Sequence, residues 1–446
     1  MKKDTYIIKC EKENYDILYL RDSFQIGKIQ KGVNENEIQI PEIRAVRDNN
    51  KELKLGEGRV GLTFMSARTC NLRCRYCYAG EGEYGNVEEK PKMLTAEIYM
   101  KSVEMVLREY PEGIKTIAFF GGEPLINFKE IKRFVLELVE SFKNKNIECP
   151  KLSIITNLVL LTDEMAEFFK EYKVLIAISL DGGKKLNDLS RIGYTKDSVY
   201  DQVMERVRCL KRHGVKFVLQ ATLNRNHLKN YTPGYAVEWA KSIEEVGCSN
   251  YLAIPVESEF EDLTVENDLD TLEAFIRELT NYSLNKLVSD DPGVVPTGIV
   301  APIFQIVNKK ITGNCTAGHS LLIDTDGNIY PCQMFCNNTE ACIGNVDTEL
   351  SESSIKNYAN VSRHNSHDCQ NCIAKNICVV FCKGIQLLSN GNMYKVCKPR
   401  CVYQKAIMEE CIKFLARLDK TSIEYTNLLK NYKMISERLM EDGFTL

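Results

Sequence analysis

The sequence predicts an α/β fold: a curved parallel sheet of six β/α units closing part of a barrel, then a cysteine-rich segment and a helical tail. Three observations carry this. From Val60 to Val256, apolar runs of strand length alternate with amphipathic helical segments, as expected of strands covered by helices on the sheet faces. A complete eight-unit barrel takes roughly 250 residues, whereas this stretch offers about 200, which suits six units. Ten of the 18 cysteines lie between Cys315 and Cys401, where Gly, Asn and Asp replace long periodic helices.

Residues 1–58 are charged and mixed, with strand-like "YIIK" and "DILYL" and no three-helix pattern. "VGLTFM" (60–65) is the first buried strand and "AEIYMKSVEMVLREY" (96–110) the first amphipathic helix. "KTIAFFGGEP" (115–124) is a strand running into a glycine turn, followed by the helix "FKEIKRFVLELVESF" (128–142). "KLSIITN" (151–157), "VLIAISLDG" (174–182), "VKFVLQATLN" (215–224) and "NYLAIPV" (250–256) complete six strands, with helices such as "TDEMAEFFKEY" and "SVYDQVMERVRCLKRHG" between them. The expected product is a partial (β/α)6 TIM-like barrel over 59–310. Residues 311–415 read as a small domain held by metal rather than by a core. The amphipathic close, "YQKAIMEECIKFLARLDKTSIEYTNLLKNYKMISERLM", predicts one or two helices, with a tail over 416–446.

A net charge of -3 gives no electrostatic footprint for nucleic acid. No run of 18 apolar residues offers a membrane span, and the N-terminus lacks the apolar segment of a secretory signal. The expectation is a cytoplasmic protein, where disulfides are rare and clustered thiols read as metal ligands. Scattered Cys10, Cys149, Cys209, Cys248 and Cys411 suit buried free thiols better.

"ARTCNLRCRYCYAGEGEYG" places Cys70, Cys74 and Cys77 directly after the first strand, at the edge where barrel enzymes put their chemistry. Three thiols are one short of a structural zinc site and do not pair as disulfides. A [4Fe–4S] cluster on three thiolates leaves one iron open to a further ligand.

This C-x3-C-x-aromatic-C pattern, with Tyr76 before Cys77, resembles the signature of the radical S-adenosylmethionine (SAM) superfamily. The resemblance implies that SAM chelates the open iron and is cleaved to a 5′-deoxyadenosyl radical that abstracts a substrate hydrogen. It also implies cofactor contacts. "GGEP" (Gly121, Gly122, Glu123, Pro124) looks like the motif facing the SAM amino group, where bare backbone approaches a ligand. Thr156 and Asn157 end the third strand, with Leu158 in place of a common glycine. Ser179 of "SLDG" ends the fourth. Arg191 suits the methionine carboxylate, and Tyr76 the adenine.

The second cysteine field, Cys315-x11-Gly327-x4-Cys332, then Cys369-x2-Cys372-x5-Cys378-x3-Cys382, then Cys397, resembles the SPASM extension of radical SAM enzymes. That resemblance implies two auxiliary [4Fe–4S] clusters, three clusters in all. Cys315, Cys332 and Cys382 would serve the first, with Cys336, Cys342 or an open site in fourth place. Cys369, Cys372, Cys378 and Cys397 would serve the second, with Cys401 as an alternative to Cys397.

By the same resemblance the substrate is a peptide side chain, and a low-potential donor such as flavodoxin or ferredoxin supplies electrons. Sulfatase-maturing enzymes, which make formylglycine, generally read "YPCD"; this chain reads "YPCQMF", with Gln333 in that place. "CTAG", "DTDGNIYPCQMF" and "CYAGEGEYG" look closer to maturases of ribosomally made peptides that form Cys thioether cross-links. No general base stands out among Asp324, Asp326, Glu257 and His319. An electron-transfer or zinc-stabilised binding protein would explain the C-terminal cysteines, but not the barrel or the three-thiol motif.

Overall fold

The computed structural model describes residues 4–33, 38, 45–46, 56–85, 92–258, 260–312, 315–348 and 350–441. The chain opens on β1 (Thr5–Ile8), β2 (Tyr15–Leu20) and β3 (Gln25–Gln30), an antiparallel sheet in that order. There follow β4 (Val60–Ala67), α1 (Ala96–Glu109), β5 (Ile114–Gly121), α2 (Phe128–Asn144), β6 (Lys151–Thr156), α3 (Asp163–Glu171) and β7 (Leu175–Ser179). Next come α4 (Lys184–Ser190), α5 (Val199–Arg212), β8 (Phe217–Leu223), α6 (Arg225–Leu228), α7 (Tyr235–Glu244), β9 (Asn250–Pro255), α8 (Leu269–Leu287) and α9 (Thr297–Val307). The C-terminal part holds β10 (Ser320–Ile323), β11 (Asn328–Tyr330), β12 (Gly344–Asn345), α10 (Glu352–Ala359), α11 (His367–Gln370), α12 (Lys383–Asn390), α13 (Lys398–Arg417) and α14 (Ile423–Glu441).

Strands β4 to β9 pair in parallel and in chain order, giving the six-unit sheet expected of a partial barrel. Apolar side chains drive it. Helix α1 buries Ala96, Tyr99, Val103 and Val106 at helical spacing. Tyr99 stacks on Phe134 of α2 at 4.8 Å and meets Phe64 of β4 edge-on at 4.7 Å. Thr95 caps α1 by accepting a hydrogen bond from the Ile98 amide, satisfying one of the free N–H groups at the helix start.

The cysteine-rich segment is not a separate layer. Strand β10 pairs in parallel with β4 and in antiparallel with β11, which pairs with β12, so nine strands form one sheet. Leu321, Ile323, Ile329 and Ile343 join the same core as the barrel, so apolar burial as well as metal can stabilise this part. The boundary expected at 310/311 falls in the link from α9 to β10, and that at 415/416 falls inside α13. Helix α13 packs Tyr403, Ala406 and Ile407 into the barrel core, and its Glu409 and Glu410 grip Arg277 of α8 at 2.5 and 2.6 Å.

The N-terminal sheet covers the cysteine field from outside. Ile8, Ile17, Tyr19 and Phe24 share a core with Ile373, Ile377, Met408 and Ile412. Arg21 donates to the carbonyls of Gln370 and Cys372, and Asn376 donates back to the Arg21 carbonyl. Among the described residues no helix is long and apolar enough to cross a membrane.

Candidate active site

The loop after β4 carries Cys70, Cys74 and Cys77. It sits on the carboxyl end of β5 through bonds from the Gly122 amide to Ala67 O (2.8 Å) and the Glu123 amide to Thr69 O (2.9 Å). A Cβ at Gly121, whose φ is +139°, would lie 2.4 Å from Ala67 O, and one at Gly122 would lie 2.2 Å from Thr69 O. Bare backbone here therefore seats the cysteine loop. The three thiols lie within electrostatic reach of one another. Burial pushes Cys70 up to about 12 and Cys74 up to about 11. A cation at the centre would favour the thiolate forms of Cys70 and Cys74, which suits a metal cluster.

Glu123 is fully buried. Its Oε1 accepts from Thr156 Oγ1 (2.7 Å) and the Leu125 amide (3.0 Å), and its Oε2 from the Asn157 amide (2.7 Å). Burial still raises its carboxyl to about 7 against these bonds. Asn157 Nδ2 donates to Asn71 Oδ1 at 2.8 Å and approaches Cys70 Sγ at 3.7 Å. The polar groups of Glu123, Thr156 and Asn157 thus tie the ends of β5 and β6 to the cysteine loop and act by positioning it.

At the end of β7, beyond half-buried Ser179, Asp181 is fully buried. Asp181 Oδ1 accepts from Arg191 Nη2 (3.0 Å) and the Thr222 amide (3.0 Å), and Oδ2 from the Tyr76 hydroxyl (2.5 Å). The Arg191 guanidinium lies 5.5 Å from the centroid of the Tyr76 ring. Arg191 is 7% exposed, and its Nε has no partner. A buried, unspent guanidinium N–H beside Cys74 is chemistry suited to an incoming carboxylate. The spacing that singled out Arg191 did not reveal Asp181, which fixes it. The signal was present in "SLDG", the same segment.

In the second field, Cys315 and Cys382 are hydrogen-bonded. That bond and the backbone N–H groups of Ala317 and Lys383 hold the Cys315 thiol well below its usual range. Cys332 lies within reach of Cys315 and Lys383, and Lys383 feels all three thiols. Cys336 and Cys342 turn instead to carbonyls, Gln333 O and Gly344 O, each at 3.1 Å. Cys369, Cys372 and Cys378 form a second group. Cys401 faces all three of these, while Cys397 faces Glu257, Ser389 and Arg400. The arrangement thus favours Cys401 over Cys397 as fourth member.

Residues 65–226 match the radical SAM superfamily. The chain carries a radical SAM domain. It is an enzyme of that superfamily, whose members use a [4Fe–4S] cluster and SAM. Curated relatives include a cysteine-type anaerobic sulfatase-maturating enzyme of Clostridium novyi, 25% identical over 71% of this chain and 86% of that protein. Another is the radical SAM cyclopropyl synthase TigE of Paramaledivibacter caminithermalis, 26% identical over 83% of this chain and 78% of that protein. Among solved structures, anSMEcpe with bound AdoMet superposes with a TM-score of 0.66 at 18% identity, covering 84% of this chain and 99% of that one. Streptococcus suis SuiB bound to precursor peptide SuiA superposes at 0.52 and 16% identity, covering 88% and 97%. These likenesses establish the shared fold.

Beyond the radical SAM domain, the candidate bases take other duties. Asp324 is fully buried and receives Arg68 Nε (2.7 Å) and Nη2 (2.6 Å), so it is the anchor of an ion pair. Arg68 also donates to the carbonyls of Glu83, Tyr84 and Cys336, joining the first cysteine loop to the second field. Asp326 accepts from Asn328 within a turn. Glu257 pairs with Arg400 at 3.0 Å, and His319 is exposed.

Proposed function

We propose that this radical SAM enzyme modifies a ribosomally made precursor peptide and closes a thioether between a cysteine sulfur and a carbon of another residue. The observation that supports the reading is the three-thiol group of Cys315, Cys332 and Cys382 around Lys383, while the thiols of Cys336 and Cys342 donate to the carbonyls of Gln333 and Gly344. A centre held by three protein thiols has room for one more, and a substrate cysteine can supply it. Two structural neighbours hold bound peptides, which supports a peptide substrate. When bound, the cluster at Cys70, Cys74 and Cys77 with SAM supplies the hydrogen-abstracting radical, and the auxiliary clusters supply an acceptor for one electron.

The chain's own residues do the rest. Arg191, fixed by Asp181 and backed by Tyr76, offers its Nε–H to the SAM carboxylate, while Ser179 stands at the end of β7 beside this group. Gly121, Gly122, Glu123, Thr156 and Asn157 hold the thiols in place. Joining carbon to sulfur would break one C–H and one S–H bond. The carbon's hydrogen atom would go to the 5′-deoxyadenosyl radical, the thiol hydrogen would leave as a proton, and the one electron left over would pass to an auxiliary cluster. The electron that starts SAM cleavage would come from a low-potential donor such as flavodoxin or ferredoxin.

Formylglycine formation is the second reading, favoured by the sulfatase-maturating relatives. Gln333 in place of the Asp of "YPCD" speaks against it. Incubating enzyme, SAM and reductant with a cysteine-containing precursor peptide decides. The expected product is lighter by two hydrogens, resists thiol reductants, and no longer alkylates at the cross-linked cysteine. A bond broken by reductant, a cysteine still free to alkylate, or an aldehyde product rejects the thioether. Cys70→Ala with Cys74→Ala and Cys77→Ala must abolish 5′-deoxyadenosine formation.

A further inference from the structure

Helices α3 and α5 pack against each other and bring three side chains of different chemistry to one point. Asp163 is the first residue of α3. Cys209 lies on α5, and His213 follows one turn later, at the residue that caps this helix in helical backbone, so both share one face. Asp163 Oδ1 accepts from Cys209 Sγ at 3.5 Å and lies 2.8 Å from His213 Nε2. The carboxylate oxygen, the sulfur and the ring nitrogen all lie within 4.8 Å of one another. Across the ring, Glu167 Oε1 stands 4.0 Å from His213 Nδ1. Cys209 is buried, whereas the side chains of His213 and Asp163 are 23% and 64% exposed, so the group opens to solvent on one side.

An exposed pair of Asp163 and His213 is worth little by itself and needs no thiol. A thiol is a weak hydrogen-bond donor, and a plain packing cysteine has no reason to face a carboxylate. As metal ligands the three form a set. A tetrahedral zinc ion, with bonds of about 2.0–2.3 Å, holds its ligands roughly 3.5 Å apart, the spacing already present between Cys209 and Asp163. One sulfur, one imidazole and one carboxylate are too soft for calcium or magnesium and too poor in sulfur for an iron–sulfur cluster. We propose that Asp163, Cys209 and His213 bind one zinc ion that clamps α3 to α5, with water in the fourth position. On binding, Cys209 gives up its proton and His213 turns the lone pair of Nε2 to the metal. Its Nδ1 then carries the ring proton toward Glu167, the usual carboxylate behind a metal-bound histidine. The competing cation is Arg212, whose Nη2 lies 3.2 Å from Asp163 Oδ1 on a side chain that is 68% exposed and can swing away. The site shares no residue with the cysteine groups described above.

The test uses full-length protein with its clusters reconstituted, dialysed to equilibrium against buffered Zn²⁺ alone, with zinc and iron both counted by elemental mass spectrometry. Asp163→Asn, His213→Gln and Cys209→Ala should each weaken zinc binding at least tenfold, with iron content and 5′-deoxyadenosine formation unchanged. Glu167→Gln should weaken it about tenfold, and Arg212→Gln should bind at least as tightly as the parent. X-ray absorption at the zinc edge should show a single sulfur at about 2.3 Å with nitrogen and oxygen at about 2.0–2.2 Å. Equal zinc in the parent, Asp163→Asn and His213→Gln overturns the proposal. So does a shell of three or four sulfurs, which would put the metal among the clustered cysteines.

Discussion

Replacing Asp181 by Asn removes one charge from the group that fixes Arg191 and keeps most of its bonds. The Asn carbonyl can take the place of Asp181 Oδ1, which receives both Arg191 Nη2 and the Thr222 amide at 3.0 Å. Its amide can meet the Tyr76 oxygen, now as acceptor. What is lost is the counter-charge of a guanidinium that is 7% exposed. Leaving one member of a buried pair uncompensated costs about 3–5 kcal/mol. At a urea slope of about 3 kcal/mol per molar, the midpoint should fall by about 1 M or more. Arg191→Met should cost a similar amount alone, because it strands Asp181. The double variant should be milder than the sum of the two by about 2 kcal/mol. Urea unfolding of the iron-loaded protein, followed anaerobically, measures the cycle, and equilibrium dialysis measures SAM binding in parallel. If Asp181→Asn costs less than about 1 kcal/mol, or the two changes add within about 0.5 kcal/mol, Asp181 does not hold Arg191 in the way described.

Gly122→Ala should drive its Cβ against Thr69 O, 2.2 Å away, and push the cysteine loop out by roughly 1 Å. SAM cleavage should fall by about 10²-fold, read as 5′-deoxyadenosine released per minute at matched iron content. Glu123 titrates near 7 in the fold against a usual 4.5, so ionising it costs the native state. Stability from this group should therefore decline by about 3 kcal/mol between pH 4.5 and 7 and stay level above. Glu123→Gln should abolish that segment of the pH profile, and an identical profile in the variant would refute the assignment. Iron analysis should show Cys401→Ala emptying the second auxiliary centre and Cys397→Ala sparing it; the reverse would restore the spacing-based choice. Neither Cys336→Ala nor Cys342→Ala should lower the iron at the first.

The six barrel strands were legible because strands covered on both faces read as unbroken apolar runs bounded by turns. Strands β10 to β12 were not, since pieces of two to four residues carry no period. The pairing of β10 with β4 rests on contacts far apart in the chain. The three cysteines after β4 and the GGEP turn were legible as chemistry, but the reason for the glycines was not. Their bareness serves a backbone crossing that only the folded loop creates. Asp181 escaped notice because its partners come from three elements, the cysteine loop, the end of α4 and β8. Cys397 and Cys401 lie one helical turn apart at the start of α13, and their spacing alone admits both.

Strand β4 has β5 on one side and β10 on the other, and Gly61 pairs with Ser320. During synthesis, the first cysteine loop is made beside a sheet edge that stays open until most of the chain has emerged. Arg21 must likewise wait for Gln370 and Cys372. An open edge beside bare thiols is a hazard for mispairing. The order of manufacture therefore runs opposite to the order of packing: the edge of β4 beside the first loop is covered only once β10 has been made.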